Sequence, residues 1–190
     1  MERIDGVRPR RDPQDLALKG SQLLGRQLGS EIAIRFIGFC SQSIPQIPIE
    51  QRLPHRCTYV LVFNSAGDLF IHLRTPTKDV FPSHWDVCIG GVLAAGETFD
   101  QGVRREIQEE LGVYAVAEPL FPIRYADAAT IVHGMVYRLV HNGPFRLQVE
   151  EIVRAEFVSV AEVLERIHRD LFCPDGVKVL EQHLRASRTQ

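Results

Sequence analysis

The sequence predicts an α+β fold in which helices cover a mixed sheet. Two observations carry this. Short apolar, β-branched runs bounded by turn residues recur from residue 57 onward, as in CTYVLVF, LFIHLR and IVHGMVYRLV. Between and after them lie stretches with apolar residues at helical spacing. A chain of 190 residues with 45% hydrophobic and 24% charged residues suits one domain with extra segments at its ends, or at most two small ones.

Taken in order, residues 1–12 mix charge with Pro and Gly and read as a tail. Leu16, Leu18, Leu23, Leu24 and Leu28 give a weak helical pattern interrupted by Gly20 and Gly25. EIAIRFIGF at 31–39 alternates as a strand, and the Pro-rich stretch after it reads as a loop or extended arm. Residues 1–50 are therefore assigned to a tail, a helix, a strand and the start of that arm, and 51–190 to the main domain. CTYVLVF (57–63), an NSAGD turn and LFIHLR (69–74) predict a hairpin. WDVCIGGV (85–92) reads as a strand running into a Gly-rich turn. A helix is expected over 98–111 with Gly112 as its cap. Strands are expected over 122–127 and 131–140, and a turn at HNGPF. A further strand is expected at RAEFVSV, with Ser159 capping a helix over 160–169 and a last helix over 174–187.

Composition narrows the function. A net charge of −2 gives no bulk attraction to nucleic acid or to an anionic membrane. Cys40, Cys57, Cys88 and Cys173 form no C-x-x-C pair, which disfavours a structural zinc site; two disulfides stay open but a core of this size needs none. No leader and no apolar run approaching a membrane span is read, so the cytoplasm is the expected location.

The chemistry concentrates in GVLAAGETFDQGVRREIQEELGV, residues 91–113. Phe99, Val103, Ile107 and Leu111 make an apolar stripe facing a core. Glu106, Glu109 and Glu110 cluster on about one turn, and at roughly 100° per residue Glu110 lies about 40°, and Glu106 about 80°, from the stripe's centre. Partly buried like charges need a cation or must protonate. A hard divalent ion with oxygen ligands, which takes substrate phosphates as its remaining ligands, resolves this. The alternative is a solvated helix face on which Arg and Glu have no further role. Gly90-Gly91, ahead of the helix, supply backbone N–H groups and close approach for a phosphate.

This segment resembles the Nudix box, G-x5-E-x7-R-E-U-x-E-E-x-G-U with U aliphatic: Gly91, Glu97, Arg105, Glu106, Ile107, Glu109, Glu110, Gly112 and Val113 fill its nine fixed positions. The flanking runs, over about 55–170, resemble the Nudix group close to isopentenyl-diphosphate isomerase. The resemblance implies an α/β/α sandwich with a mixed sheet and a pyrophosphohydrolase using Mg2+ or Mn2+ on a small diphosphate, nucleoside-linked or related. It implies metal held by Glu106, Glu109 and Glu110, with Glu97 contributing from the loop, and Arg105 orienting the glutamates. The general base is a box glutamate or a downstream acid, for which Glu150 and Glu151 are the candidates. Arg74 and Lys78 are candidates for substrate phosphate.

Trp85 reads as packing at a strand start rather than as a stacking platform, His133 as a core or sheet histidine rather than a base, and Cys88 as a small buried residue. Two rivals remain at this level. One is an isomerase of the isopentenyl-diphosphate type, whose cysteine position falls here at Gly90. The other is a Nudix domain that binds a nucleotide without turning it over, although such domains usually lose box glutamates. A homodimer built through the N-terminal strand or Pro-rich arm is left open.

Overall fold

The computed structural model describes residues 53–128 and 130–188. The expected tail, the helix pattern at 16–28 and the strand at 31–39 lie outside the described residues, as does Cys40. Nine elements follow in order: β1 (His55–Phe63), β2 (Leu69–Arg74), β3 (Trp85–Asp86), α1 (Phe99–Leu111), β4 (Glu118–Ala126), β5 (Ile131–Val140), β6 (Ile152–Val158), α2 (Val160–Ile167) and α3 (Pro174–Ser187).

The strands form a mixed sheet in the order β3-β2-β1-β5-β4, with β6 paired to β2. Strand β1 is its centre. It runs parallel to β5 from His55↔Val132 to Phe63↔Val140, and every residue from Cys57 to Phe63 is buried. Burial on both faces is what a continuous apolar run, rather than an alternating one, requires. Tyr59, Leu61 and Phe63 pack in one apolar core with Val163 of α2 and Val179 and Leu180 of α3. Val60 and Val62 pack in a second with Val103, Ile107 and Leu111 of α1. Helices therefore cover both faces, giving the α/β/α sandwich. No helix among the described residues is long and apolar enough to cross a membrane.

Three sequence expectations are corrected. The hairpin over 57–74 opens at once: β1 and β2 pair only at Phe63↔Leu69 beyond the Asn64–Asp68 turn. From there β2 runs antiparallel to β6, from Leu69↔Val158 to Arg74↔Ile152. The strand expected over 85–92 is broken. Asp86 Oδ1 accepts the Cys88 N–H (3.0 Å) and bends the chain after two residues. The remainder touches β1 only through isolated bridges at Ile89↔Val60 and Val92↔Cys57, with Gly90 between them at φ +144°. Strand β4 begins earlier than expected, at Glu118, because it lies at the sheet edge, where Pro119 and Pro122 are tolerated. The final helix matches its predicted bounds.

Candidate active site

Helix α1 is fixed at both ends by local chemistry. Thr98 Oγ1 accepts the Gln101 N–H while Gln101 Oε1 accepts the Thr98 N–H, a reciprocal capping box. Gly112 closes the other end at φ 67°, a left-handed position that suits glycine, and donates to Gln108 O. With the apolar stripe buried in the second core, the turn carrying Glu106, Glu109 and Glu110 faces the Gly90-Gly91 segment.

The glutamates divide into two environments. Glu106 and Glu110 are 8% and 3% exposed, whereas the side chain of Glu109 is 51% exposed. Gly91 lies against Glu106: a β-carbon there would sit 2.6 Å from Oε1. Gly90 donates its N–H to Glu110 Oε1 (3.1 Å). Arg105 joins the rest. Its Nε and Nη2 grip Glu97 in a bidentate pair (2.9 and 3.0 Å), and Nη1 reaches both Glu106 Oε1 (2.8 Å) and Glu109 Oε2 (3.0 Å). Glu97 is tied further by the Ala94 N–H (2.8 Å).

The electrostatics follow from that division. Burial pushes Glu106 up to about 7, against the opposing pull of Arg105, with Glu109 and Glu151 adding to the rise. Burial, then Glu106 and Glu151, push Glu110 well above the usual carboxylate range, partly offset by the Gly90 N–H and Lys78. The Arg105 hydrogen bonds instead hold Glu97 below it.

The other candidates separate. Glu151 pairs with Lys78, and both act on the buried glutamates. Glu150 is exposed, and it is its backbone carbonyl that accepts from Thr75 Oγ1 (3.0 Å). Arg74 turns to its own loop, donating to Val80 O and Phe81 O with Asp86 at 3.8 Å, so the structure does not bring it to the glutamates. His133 is an exposed sheet histidine on β5, the second of the two readings given for it. Trp85 is buried, stacked with Phe172 and flanked by the Arg154 and Arg166 guanidinium groups. Cys57, Cys88 and Cys173 are free and buried.

Sequence reasoning missed Arg56, which donates to Glu97 O (2.9 Å) and lies over the Phe99 ring. Its signal, a basic residue at the start of a strand, is too common to single out.

Among the described residues, no three carboxylate, imidazole or thiol groups already converge as a metal site. Arg105 engages an oxygen on each of Glu97, Glu106 and Glu109. The donor set nonetheless fits Mg2+, which binds through one or two carboxylates and completes its shell with water and phosphate. Glu106 and Glu110 are two such carboxylates, one turn apart.

Comparisons with known proteins give the chain's family and fold. The NUDIX domain family matches residues 53–179. An uncharacterised Nudix hydrolase of Pseudomonas aeruginosa is 36% identical over 146 residues, covering 76% of this chain and 86% of its own. Among solved structures, a MutT protein from Methanosarcina mazei superposes with a TM-score of 0.63 at 18% identity, over 74% of this chain and 99% of that one. The Nudix domain of Shewanella oneidensis NrtR, solved with ADP ribose, gives 0.58 at 17% identity, over 74% and 92%. The last two show likeness of fold. The chain belongs to the Nudix family, as a hydrolase acting on pyrophosphate bonds.

Proposed function

We propose that this hydrolase uses Mg2+, or Mn2+ in its place, to cleave the diphosphate linkage of a small nucleoside-diphosphate-linked or related molecule. The observation that carries the reading is the pair Glu106 and Glu110, two buried carboxylates one turn apart beside a glycine segment. Buried without a cation they are a cost; against a divalent ion they are ligands.

Glu106 and Glu110 would hold the ion, with Glu109 and Glu97 able to join. When bound, the ion would neutralise diphosphate oxygens and acidify a water. Gly90 and Gly91 let the backbone lie directly against β1 and against the Glu106 carboxylate, which keeps the two buried glutamates beside this segment. Arg105 keeps Glu97, Glu106 and Glu109 in register by charge-assisted hydrogen bonds, and its Nη2 also donates to Val92 O (3.3 Å). Glu151 is the general base of this scheme. It takes the proton as water oxygen bonds to phosphorus, while the bridging P–O bond breaks and its electron pair leaves with the departing phosphate. Lys78, paired with Glu151, brings a positive charge to the same place and serves substrate phosphate. The same fold accommodates a nucleotide sugar in the Shewanella domain.

The test is phosphate release with Mg2+ on nucleoside di- and triphosphates, nucleotide sugars, dinucleoside polyphosphates and isoprenoid diphosphates. Glu106→Gln and Glu110→Gln should each lower turnover by more than about 100-fold. Turnover that persists in both variants, or that needs no divalent ion, would sink the proposal.

A further inference from the structure

We infer that Lys78 and Glu151 form a latch that the substrate opens: its phosphate draws Lys78 off the Glu151 carboxylate, so the base is set free only when a diphosphate is in place. The inference rests on the hydrolase reading above and deepens it by naming how that site is regulated.

The latch is built against α1. The Arg146 N–H donates to Leu111 O (2.8 Å) and the Gln148 N–H to Glu110 O (3.1 Å), which seats the segment ahead of β6 on the C-terminal end of the helix. Carbonyls at a helix end have no partner within the helix and take such donors. The N–H groups of Glu151 and Ile152 both return to Gln148 O (3.0 and 2.9 Å) and close a turn. Ile152 then packs in the same core as Val103, Ile107 and Leu111. Glu151 therefore stands on a turn whose first residue is bonded to the backbone of Glu110.

The loop between β2 and β3 is tied to that turn. Thr75 donates its N–H to Glu151 O and its hydroxyl to Glu150 O (both 3.0 Å), and its own carbonyl accepts the Ser83 N–H (3.3 Å). Arg74 holds the far part of the loop through Val80 O and Phe81 O. Phe81 and Ser83 stand at φ 52° and 57°, left-handed positions that residues other than glycine keep only where their surroundings hold them. With both backbones fastened, the part left to move is the Lys78 side chain, a compact ammonium on a flexible stem.

Lys78 Nζ donates to Glu151 Oε2, and Glu151 is its only ion-pair partner among the described residues. Neither group is sealed off: the two side chains are 22% and 15% exposed, so a solute reaches them without any element of the fold opening. An ion pair that water reaches contributes little to stability. A diphosphate offers the ammonium more negative charge and more acceptor oxygens than one carboxylate does. While Lys78 occupies Oε2, that oxygen is not available to a proton from water. Once Lys78 turns to the phosphate, Oε2 is open and takes the proton of the attacking water. Without a diphosphate Lys78 stays where it is, and no water is activated.

The test is calorimetric binding of methylenediphosphonate, a diphosphate mimic whose bridging carbon is not hydrolysed, with Mg2+ at pH 8. Wild type, Glu151→Gln, Lys78→Met and the double variant are compared. Glu151→Gln frees Lys78 beforehand, so it should bind the mimic about 5-fold tighter while kcat on a true substrate falls about 100-fold. Lys78→Met should bind roughly 10-fold more weakly, and adding Glu151→Gln to it should restore none of that loss. Glu151→Ala carries the same comparison if Glu151→Gln does not fold. Binding by Glu151→Gln that is unchanged or weaker would overturn the latch. So would equal tightening on the Lys78→Met background, because it would report only the removal of a negative charge near the phosphates. The mimic is not turned over, so this readout is independent of the hydrolase reading. Turnover that persists in Glu106→Gln and Glu110→Gln sinks that reading, while the binding series still decides the latch. Turnover lost in both, with no tightening in Glu151→Gln, removes the latch alone.

Discussion

Arg105 donates to three glutamates at once, and the carboxylates it touches are not equally served. Glu97 receives two of its hydrogen bonds and is held below the ordinary carboxylate range, while Glu106 receives one and burial outweighs it. The consequence for the metal-free protein has a definite sign. In the unfolded chain Glu106 ionises near its ordinary 4.5, and in the folded protein near 7. Between those values the folded state holds a proton that the unfolded state has released, so stability from this group is fully present below pH 4.5 and lost as pH rises to about 7. The loss is about 3 kcal/mol for a shift of this size. Glu106→Gln should abolish it. Urea midpoints in EDTA at pH 5 and pH 8 check this: the variant should gain on the wild type at pH 8 and match it at pH 5. A constant difference would place Glu106 in a less desolvated setting.

At the scale of elements, the site is a capped helix held against a glycine segment, and the two glycines serve different partners. A β-carbon on Gly90 would lie 2.0 Å from Thr58 O, a backbone atom of the central strand, at φ +144°, which other residues rarely adopt. One on Gly91 would instead meet the end of the Glu106 side chain, which can swing away. Gly90→Ala should therefore cost the fold about 3 kcal/mol or more. Gly91→Ala should stay within about 1 kcal/mol of wild-type stability and lose activity by displacing Glu106. Thermal melts and initial rates on both variants separate the cases. A Gly91→Ala protein with full activity would show that Glu106 does not need its present position.

Across the whole molecule, what was legible in the sequence is what is local. Helix α1 carries its stripe, caps and glutamates within one continuous segment, and the apolar run of β1 marks a strand buried on both faces. Strand β3 is shorter than WDVCIGGV predicts because one side chain-to-backbone bond at Asp86 and the turn at Gly90 outweigh its strand propensity. The Lys78–Glu151 pair spans 73 residues and the Tyr59–Asp175 bond 116, and no spacing rule finds contacts that only the sheet order brings about. The Lys78–Glu151 pair acts on Glu110 of α1, so distant segments meet at the proposed metal position and binding there should be felt by the fold as a whole. A ligand that binds only the native state adds about 2.7 kcal/mol at one hundred times its dissociation constant, which for a chain of this size raises Tm by roughly 5–10 °C. Because ligating carboxylates must be deprotonated and Glu106 holds its proton up to about 7, the rise with Mg2+ should be larger at pH 8 than at pH 6. Thermal scans across Mg2+ concentrations at both pH values measure this, with Glu106→Gln and Glu110→Gln expected to lose most of the rise. An equal rise in both variants would mean that the ion acts at the surface and that the buried carboxylates are not its ligands.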